Sequence, residues 1–264
     1  MVYRGQRKLI AIDVAGTTII SDESDGGGHF RASIELNAEQ VAKHAKDGWL
    51  SFSAKLGSDD RRAFRGRCQI LRSDEWLVIS DIDDTIKITG VGSKRRVLAN
   101  TFVNEFRAVD GMAKRYRDWS LNGARFHFVS SSPYQLYPTL DGFFVAETFP
   151  ASSYSLQSVR MSVRSLRSIF ADPFERKVDA IGKILEHYTV PVVLVGDSGE
   201  RDPEVYGEIA RKFSAKVKAI LIRQVYASPL DQERQRNAFR DVDEAVQIRL
   251  FTDGESLDWQ PSFG

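Results

Sequence analysis

From residue 76 onward, short apolar segments alternate with amphipathic segments, and this alternation restricts the fold more than any other feature of the sequence. The runs EWLVIS, ARFHFVS, VPVVLVGDSG and VKAILIRQV predict buried strands. The segments ERKVDAIGKILEHY and PEVYGEIARKF predict helices. Two more helices are expected, one over RRVLANTFVNEFRAVDGMAKRYRDW with a break near Asp110 and Gly111, and one over PYQLYPTLDGFF from Pro133. This pattern predicts an α/β fold, a parallel sheet with helices on both faces.

The first 72 residues follow a different pattern, in which β-prone runs are separated by turn-rich segments. RKLIAIDVAGTTII, HFRASIEL, WLSFSAKL and FRGRCQIL predict strands, and LNAEQVAKHAKDG predicts one short helix. The sequence therefore predicts a small β-rich accessory domain over residues 1–72, followed by an α/β domain over residues 73–264.

Charge and cysteine content exclude several classes of function. The net charge is +1, so no overall field attracts DNA or RNA, and we expect no nucleic-acid partner. Cys68 is the single cysteine, so we expect neither an internal disulfide nor a cysteine-based zinc site. No apolar run approaches the roughly 20 residues of a spanning helix, and the first residues do not resemble a signal peptide. We expect a cytoplasmic protein; the oligomeric state is not predicted.

Three of the predicted strands are followed by polar side chains. Asp81 and Asp83 follow the first strand, serines 130 to 132 follow the second, and Asp197 and Asp202 follow the third. Because ligands bind at the carboxyl ends of parallel strands, we expect these residues to converge on one edge of the sheet. Crowded carboxylates require a cation, and a few geometrically strict oxygen ligands suit Mg²⁺. A calcium loop of the EF-hand type starting at Asp81 is excluded, since its required glycine and final glutamate are missing.

Four segments, in order, resemble the motifs of the haloacid dehalogenase superfamily. DIDDT is similar to its D-x-D-x-T motif, FHFVS to its second motif, Lys177 to its third-motif lysine and VVLVGDSGERD to its acidic fourth motif. SDIDDTIK, SSSPYQLYP and GDSGERDPEVY also resemble the actin-patch-associated phosphatidate phosphatase family, over roughly residues 60 to 225. The resemblance implies a haloacid-dehalogenase-like Rossmannoid parallel sheet and a Mg²⁺-dependent phosphomonoester hydrolase that forms an aspartyl-phosphate.

The resemblance also implies a role for each matched residue. Asp81 is the expected nucleophile and Asp83 the expected acid and base, while Lys177 would neutralise the transferring phosphate. Lys183, on the same predicted helix, competes with Lys177 for this role. Thr85 and Ser130 would bind phosphate oxygens, with Ser131 or Ser132 as alternatives to Ser130, and a helix starting at Pro133 would add backbone N–H groups there. The expected metal ligands are Asp81, Asp83, Asp197 and Asp202; Asp202 would either ligate the ion or orient its waters.

The substrate stays open among phosphomonoesters. Phosphatidate at a membrane surface is one candidate, and a soluble phosphorylated metabolite is another. A phosphotransferase with the same intermediate, and an inactive lipid- or protein-binding module, are the alternative functions. A peripheral attachment to anionic lipid would depend on two basic groups, namely Lys94, Arg95 and Arg96 after the first motif, and Arg160, Arg164 and Arg167 further on.

Overall fold

A computed structural model of the chain describes residues 7–26, 28–55, 60, 62–88, 106–157, 174–225 and 229–263. The chain divides into two compact units, Met1–Leu71 and Arg72–Gly264. The first unit contains a sheet whose described pairings are all antiparallel, and the second contains a parallel sheet.

The first unit is built around one long strand that pairs on both sides. This strand, β4 (Trp49–Lys55), pairs antiparallel with the first and third strands along one edge and with the fifth along the other, and the first strand pairs with the second. A capping box between Asn37 and Gln40 begins the one helix of this unit's described part. The elements are β1 (Ala11–Val14), β2 (Thr17–Ile20), α1 (Ala38–His44), β3 (Ala45–Lys46), β4 (Trp49–Lys55) and β5 (Phe64–Gln69).

The prediction of a strand over HFRASIEL is wrong, since residues 29–36 form no regular element. Alternation in sequence favours a strand only when one face is buried. Here Phe30 is 42% exposed, and local turn bonds connect Asp22 with Arg31 and Asp25 with His29. The segment therefore lacks the buried face that its pattern would require.

The second unit contains a six-stranded sheet, counted over the described residues, in which every pairing is parallel. The four predicted strands occupy its centre. Two further strands lie at the edges, where sequences such as SSYSLQ and QIRLF carry fewer apolar residues than a central strand. In the order β11-β10-β9-β6-β7-β8, the strands are β6 (Trp76–Ser80), β7 (Ala124–Pro133), β8 (Ser152–Gln157), β9 (Val192–Asp197), β10 (Val217–Arg223) and β11 (Gln247–Phe251).

The helices of this unit connect the strands, and one of them starts later than predicted. The helix expected from Pro133 begins at Tyr137, because β7 continues to Pro133 and a 3₁₀ turn over Tyr134–Leu136 follows. Among the described residues, no helix is long and apolar enough to cross a bilayer. The helices are α2 (Met112–Leu121), α3 (Tyr137–Ala146), α4 (Phe174–His187), α5 (Asp202–Lys212) and α6 (Gln232–Ala238).

Both faces of the parallel sheet are buried. On one face, strand residues such as Phe126 and Val195 form an apolar core with Tyr116 and Trp119 of α2. Residues on the opposite face, such as Leu194, are also fully buried. At Gly196 an added Cβ would lie 2.6 Å from the Tyr206 ring, so α5 packs on this second face.

Candidate active site

The register of the parallel strands brings the predicted polar residues to one edge. Ser80 pairs with Phe128 of β7 and with Val195 of β9. Asp81, Ser130 and Asp197 follow these paired positions by one or two residues, so they emerge at the same edge of the sheet. The expected convergence of the three strand ends is confirmed.

Three of these carboxylates and one lysine form a buried group that we call the inner cluster: Asp81, Lys177, Asp197 and Asp202. One carboxylate oxygen from each aspartate lies within 4.8 Å of the others. The Lys177 Nζ donates to Asp81 Oδ1 at 2.8 Å and to Asp202 Oδ1 at 2.6 Å. All four side chains are at most 4% exposed. The inner cluster therefore holds its charges almost entirely out of water.

Asp197 carries an oxygen that the described protein does not satisfy. Its Oδ1 accepts from the backbone N–H groups of Gly199 at 2.6 Å and Glu200 at 3.1 Å. Its Oδ2 is buried without a hydrogen-bond partner among the described residues. Buried polar atoms are almost always paired, so an unpaired carboxylate oxygen indicates a missing positive partner. Three converging carboxylates are also the ligands that a hard divalent cation prefers, so the residues present fit a metal ion.

The charges of the inner cluster are strongly coupled. Burial raises the pKa of Asp81 well above its ordinary value, and the Lys177 ammonium only partly opposes this. Burial likewise raises the pKa of Asp197, with the neighbouring Asp202 and Glu200 carboxylates adding to the effect. Burial disfavours the charged form of Lys177, but the carboxylates around it outweigh burial and hold its pKa well above the usual range. One ammonium thus faces an excess of carboxylates, which a cation would relieve.

Close packing of α5 against β9 places Asp202 in this cluster. Asp202 is the first residue of α5, and its Oδ2 accepts from the Asp197 N–H at 3.2 Å. A side chain at Gly196 would collide with both Asp202 and Tyr206. The helix can approach the strand only because residue 196 is glycine.

Asp83 is not among the three grouped carboxylates and pairs with a second lysine; we call Asp83 and Lys87 the outer pair. The Lys87 Nζ lies 2.7 Å from Asp83 Oδ1, and the Ser132 hydroxyl donates to Asp83 Oδ2 at 3.1 Å. Ser130 Oγ is 3.4 Å from the same oxygen. The Asp83 side chain is 21% exposed, so it stands where the site opens to solvent.

The remaining predicted residues occupy distinct positions around these two groups. Thr85 is fully buried and its hydroxyl lies 3.4 Å from Asp81 Oδ2. Ser130 lies within β7, so the expected helix N-terminus beside it is wrong. Lys183 is exposed and pairs with Asp179, away from Asp81. The basic groups Lys94, Arg95, Arg96 and Arg160, Arg164, Arg167 lie outside the described residues.

Sequence reasoning did not identify three residues that contact the site. Glu200 lies 3.3 Å from the Lys177 Nζ, although the fourth motif gave this glutamate no role. Lys87 stands four positions after Asp83, a spacing that signals proximity only within a helix. Arg234 donates to the carbonyls of Ser198 and Glu200 and to the Glu204 carboxylate, and so fixes the loop between β9 and α5. No local pattern connects Arg234 with that loop.

Comparisons with known proteins match the part of the chain that contains these residues. The family described as "Phosphatidate phosphatase APP1, catalytic domain" matches residues 76–224, which contain the inner cluster and the outer pair. An uncharacterised protein of Schizosaccharomyces pombe is 30% identical over 202 residues, which is 74% of this chain and 33% of that protein. Phosphatidate phosphatase APP1 of Saccharomyces cerevisiae is 35% identical over 151 residues, 55% of this chain and 25% of that protein.

The chain therefore spans no more than a third of the length of these two relatives. The family match covers more than half of this chain and includes the predicted motifs. The resemblance stated from the sequence is thereby confirmed: the chain belongs to the family of the phosphatidate phosphatase APP1 catalytic domain, a family of phosphatase enzymes.

Proposed function

We propose that the chain is a Mg²⁺-dependent phosphomonoester hydrolase that forms an aspartyl-phosphate on Asp81. The observation that carries this proposal is the inner cluster, three buried carboxylates within 4.8 Å of one another. We also propose that residues 73–264 form a haloacid-dehalogenase-like Rossmannoid domain and residues 1–72 an accessory β-rich domain. The parallel sheet with polar residues at its carboxyl edge supports the fold, and the antiparallel sheet supports the second assignment.

Asp81, Asp197 and Asp202 are the residues that would hold the ion. The unpaired Oδ2 of Asp197 and the raised pKa values of Asp81 and Asp197 support this assignment. When bound, Mg²⁺ supplies positive charge that keeps the carboxylates ionised and reduces their repulsion from a phosphate dianion. Asp83 was also expected to be a ligand; its carboxylate is held by Lys87 and Ser132, so we assign it to proton transfer instead.

The first chemical step would be attack by an Asp81 carboxylate oxygen on phosphorus. A new O–P bond forms while the ester P–O bond breaks, and the bonding electrons pass to the leaving oxygen. Lys177, 2.8 Å from Asp81, orients the nucleophile and offsets the charge of the transferring group. Thr85 and Ser130, whose hydroxyls lie next to the Asp81 and Asp83 carboxylates, would donate to phosphate oxygens.

Asp83 would act as the general acid in the first step and as the general base in the second. Its carboxyl proton passes to the leaving oxygen, which departs as an alcohol. The resulting carboxylate then accepts a proton from water as that water attacks the phosphorus of the aspartyl-phosphate. The products are inorganic phosphate, regenerated Asp81 carboxylate and protonated Asp83, so the cycle closes. Partial exposure of Asp83 at the opening of the site supports this role.

We propose phosphatidate as the substrate, because the yeast relative is named as a phosphatidate phosphatase. The reaction at a membrane surface would require peripheral attachment, and the basic residues named from the sequence would provide it. This proposal is consistent with a cytoplasmic enzyme that attaches peripherally to a membrane.

The direct test is a screen of phosphomonoesters with Mg²⁺ and with chelator. It should include phosphatidate in vesicles, a soluble phosphorylated metabolite set and 4-nitrophenyl phosphate. We expect Mg²⁺-dependent phosphate release from 4-nitrophenyl phosphate, and faster release from phosphatidate than from the soluble esters. Activity that survives chelator would overturn the metal assignment, and a soluble ester hydrolysed faster than phosphatidate would overturn the proposed substrate.

A further inference from the structure

Lys87 is a buried cation that the proposed reaction does not use. Its side chain is 3% exposed. Its Nζ lies 2.7 Å from Asp83 Oδ1 and 4.2 Å from the centre of the Phe106 ring. The ammonium therefore packs between a carboxylate and an aromatic face, in a position that admits little movement.

The backbone around Lys87 fixes the position of its side chain. Residue 87 forms bridges with Asp83 and with Ala108, and its carbonyl accepts from the Asp84 N–H at 2.7 Å. The Lys87 N–H donates to the Ile82 carbonyl at 3.1 Å. A tight turn with Asp84 at φ +53° thus places residues 83 and 87 side by side. The lysine is anchored by the same turn that carries the aspartate.

Both oxygens of Asp83 are consequently held from different sides. Lys87 contacts Oδ1, and the Ser132 hydroxyl donates to Oδ2. With both oxygens fixed, the plane of the carboxyl group is set, which matters for proton transfer because geometry at the reacting oxygen controls the rate. Lys87 contributes the contact on the side away from β7.

Stability alone does not explain a lysine in this place. Burial of an ion pair costs desolvation energy that its attraction often fails to recover. The pair Lys114–Asp118 has the same sequence spacing and the same 2.7 Å distance, but its side chains are 73% and 45% exposed. That exposed pair avoids the desolvation cost, whereas the outer pair incurs it. This difference in desolvation cost indicates that Lys87 has a role in the site besides stability.

We propose that Lys87 is a positioning residue for Asp83, which it holds at the opening of the site and away from the inner cluster. This inference rests on the proposed function of Asp83. Lys87 contacts Asp83 Oδ1, so the proton that Asp83 delivers would be carried by Oδ2, and Lys87 itself donates no proton to the substrate. Without it, the Asp83 carboxyl would rotate, and a smaller fraction of molecules would have its proton directed at the leaving oxygen.

The test compares two substrates that differ in their need for an acid. The leaving group of 4-nitrophenyl phosphate is stable as an anion, while that of phenyl phosphate is more basic and requires a proton. In single-turnover experiments on the full chain, Lys87→Met should slow phenol release from phenyl phosphate by about 10- to 100-fold. Release of nitrophenol should fall by less than about threefold, because general acid assistance contributes little there. Lys87→Arg should restore part of the phenyl phosphate rate.

Controls separate this inference from the proposed function and from misfolding. Lys114→Met removes the matched exposed lysine and should leave both rates unchanged. In an Asp83→Asn background, Lys87→Met should have no further effect on either substrate, and this double variant removes both charges of the outer pair together. Equal losses on both substrates, or a further loss in the double variant, would mean that Lys87 is only structural.

The outcome for Asp83→Asn alone identifies which step of reasoning fails. If Asp83→Asn slows phenyl phosphate selectively and Lys87→Met does not, the positioning role of Lys87 is wrong while the proposed function stands. If Asp83→Asn slows both substrates equally or neither, the assignment of Asp83 as the acid is wrong, and the role of Lys87 is overturned with it.

Discussion

The inner cluster and the outer pair use the same residue types in opposite ways. Lys177 contacts three carboxylates and is surrounded by more negative charge than it can neutralise. Lys87 contacts the Asp83 carboxylate and an aromatic ring. Asp81 and Asp83 are two positions apart in the chain, yet one is 2% exposed and the other is 21% exposed at its side chain.

This difference shows how one loop can present two carboxyl groups with distinct chemistry. A buried carboxylate among like charges requires further positive charge, and the inner cluster therefore favours a cation. A carboxylate that pairs with a lysine and is partly exposed to solvent can exchange protons with water. Asp84, directly after Asp83, has a left-handed backbone and lies in the turn that brings Lys87 next to Asp83.

The largest effect is expected from removing Asp81, the proposed nucleophile in the inner cluster. Asp81→Asn should lower kcat on 4-nitrophenyl phosphate by on the order of a thousandfold or more, because an amide is a poor nucleophile and a weaker ligand. The thermal midpoint should not fall, since the substitution removes a buried charge. Asp118→Asn, which alters an exposed carboxylate, is the matched control for steady-state kinetics. Substantial turnover by Asp81→Asn would assign the nucleophile elsewhere.

Removal of the proposed cation should reduce activity by about a hundredfold and also lower stability. Burial raises the pKa values of Asp81 and Asp197, so above the usual carboxyl range these groups ionise more readily in the unfolded chain than in the folded protein. The free energy of unfolding therefore falls as the pH rises above that range. A cation that neutralises them stabilises the fold, by about 2.7 kcal/mol at a hundredfold excess over its Kd. Scanning calorimetry should therefore show a Mg²⁺-induced rise in Tm that is larger at pH 8 than at pH 5.

Asp197→Asn is the matched variant for that measurement. Replacement of the carboxylate with the unpaired oxygen should abolish most of the Mg²⁺-induced rise in Tm. A rise of equal size in the variant, or one that is larger at pH 5, would contradict the assignment of the cation to the inner cluster.

A change in the outer pair should have a smaller effect, and one of a different kind. In Asp83→Asn, transfer from 4-nitrophenyl phosphate to Asp81 should persist, because this leaving group needs little acid assistance. Hydrolysis of the intermediate should slow by about 10- to 100-fold, since the base is missing. Rapid acid quench should then trap phosphorylated protein. Loss of turnover without any trapped phosphoprotein would contradict the separate roles assigned to the inner cluster and the outer pair.

The smallest effect concerns a partly buried titratable side chain that has hydroxyl neighbours on both ring nitrogens. His127 lies in β7 with its ring nitrogens 2.8 and 2.9 Å from the Ser153 and Ser155 hydroxyls. Burial lowers its pKa from 6.5 to about 4. The stability present above pH 6.5 is thus lost as the pH falls towards 4, by about 2 kcal/mol at pH 5.

His127→Gln should remove this part of the pH dependence and leave kcat unchanged at pH 8. The measurement is the difference in unfolding free energy between pH 8 and pH 5 for both proteins. An equal difference in the two proteins would show that the histidine already titrates normally in the fold.

The sequence predicted the site residues that lie at strand ends. It did not predict the elements and contacts whose positions depend on tertiary packing. Asp81 and Asp197 could be placed because each follows a nearly continuous apolar strand, which fixes its position at the edge of the sheet. The start of α3 was misplaced because β7 continues through three serines to Pro133, and a proline can end a strand as well as begin a helix.

Other elements were not predictable because they depend on contacts between distant segments. β8 has the sequence SSYSLQ, whose apolar pattern is too weak to indicate a strand, and it forms by pairing with β7 at the edge of the sheet. Lys87 reaches Asp83 through a turn that a helical spacing rule does not describe. Arg234 is 30 residues from Glu204 and meets it only after α6 packs near α5.

Gly196 has a consequence for how this site would look in a saturation mutagenesis experiment. The glycine carries no chemistry, but any side chain there would displace Asp202 and Tyr206. Position 196 should therefore score as intolerant to every substitution, alanine included, in a screen for activity. A mutational map alone would rank it with the carboxylates, whereas the structure assigns its intolerance to the space between a strand and a helix.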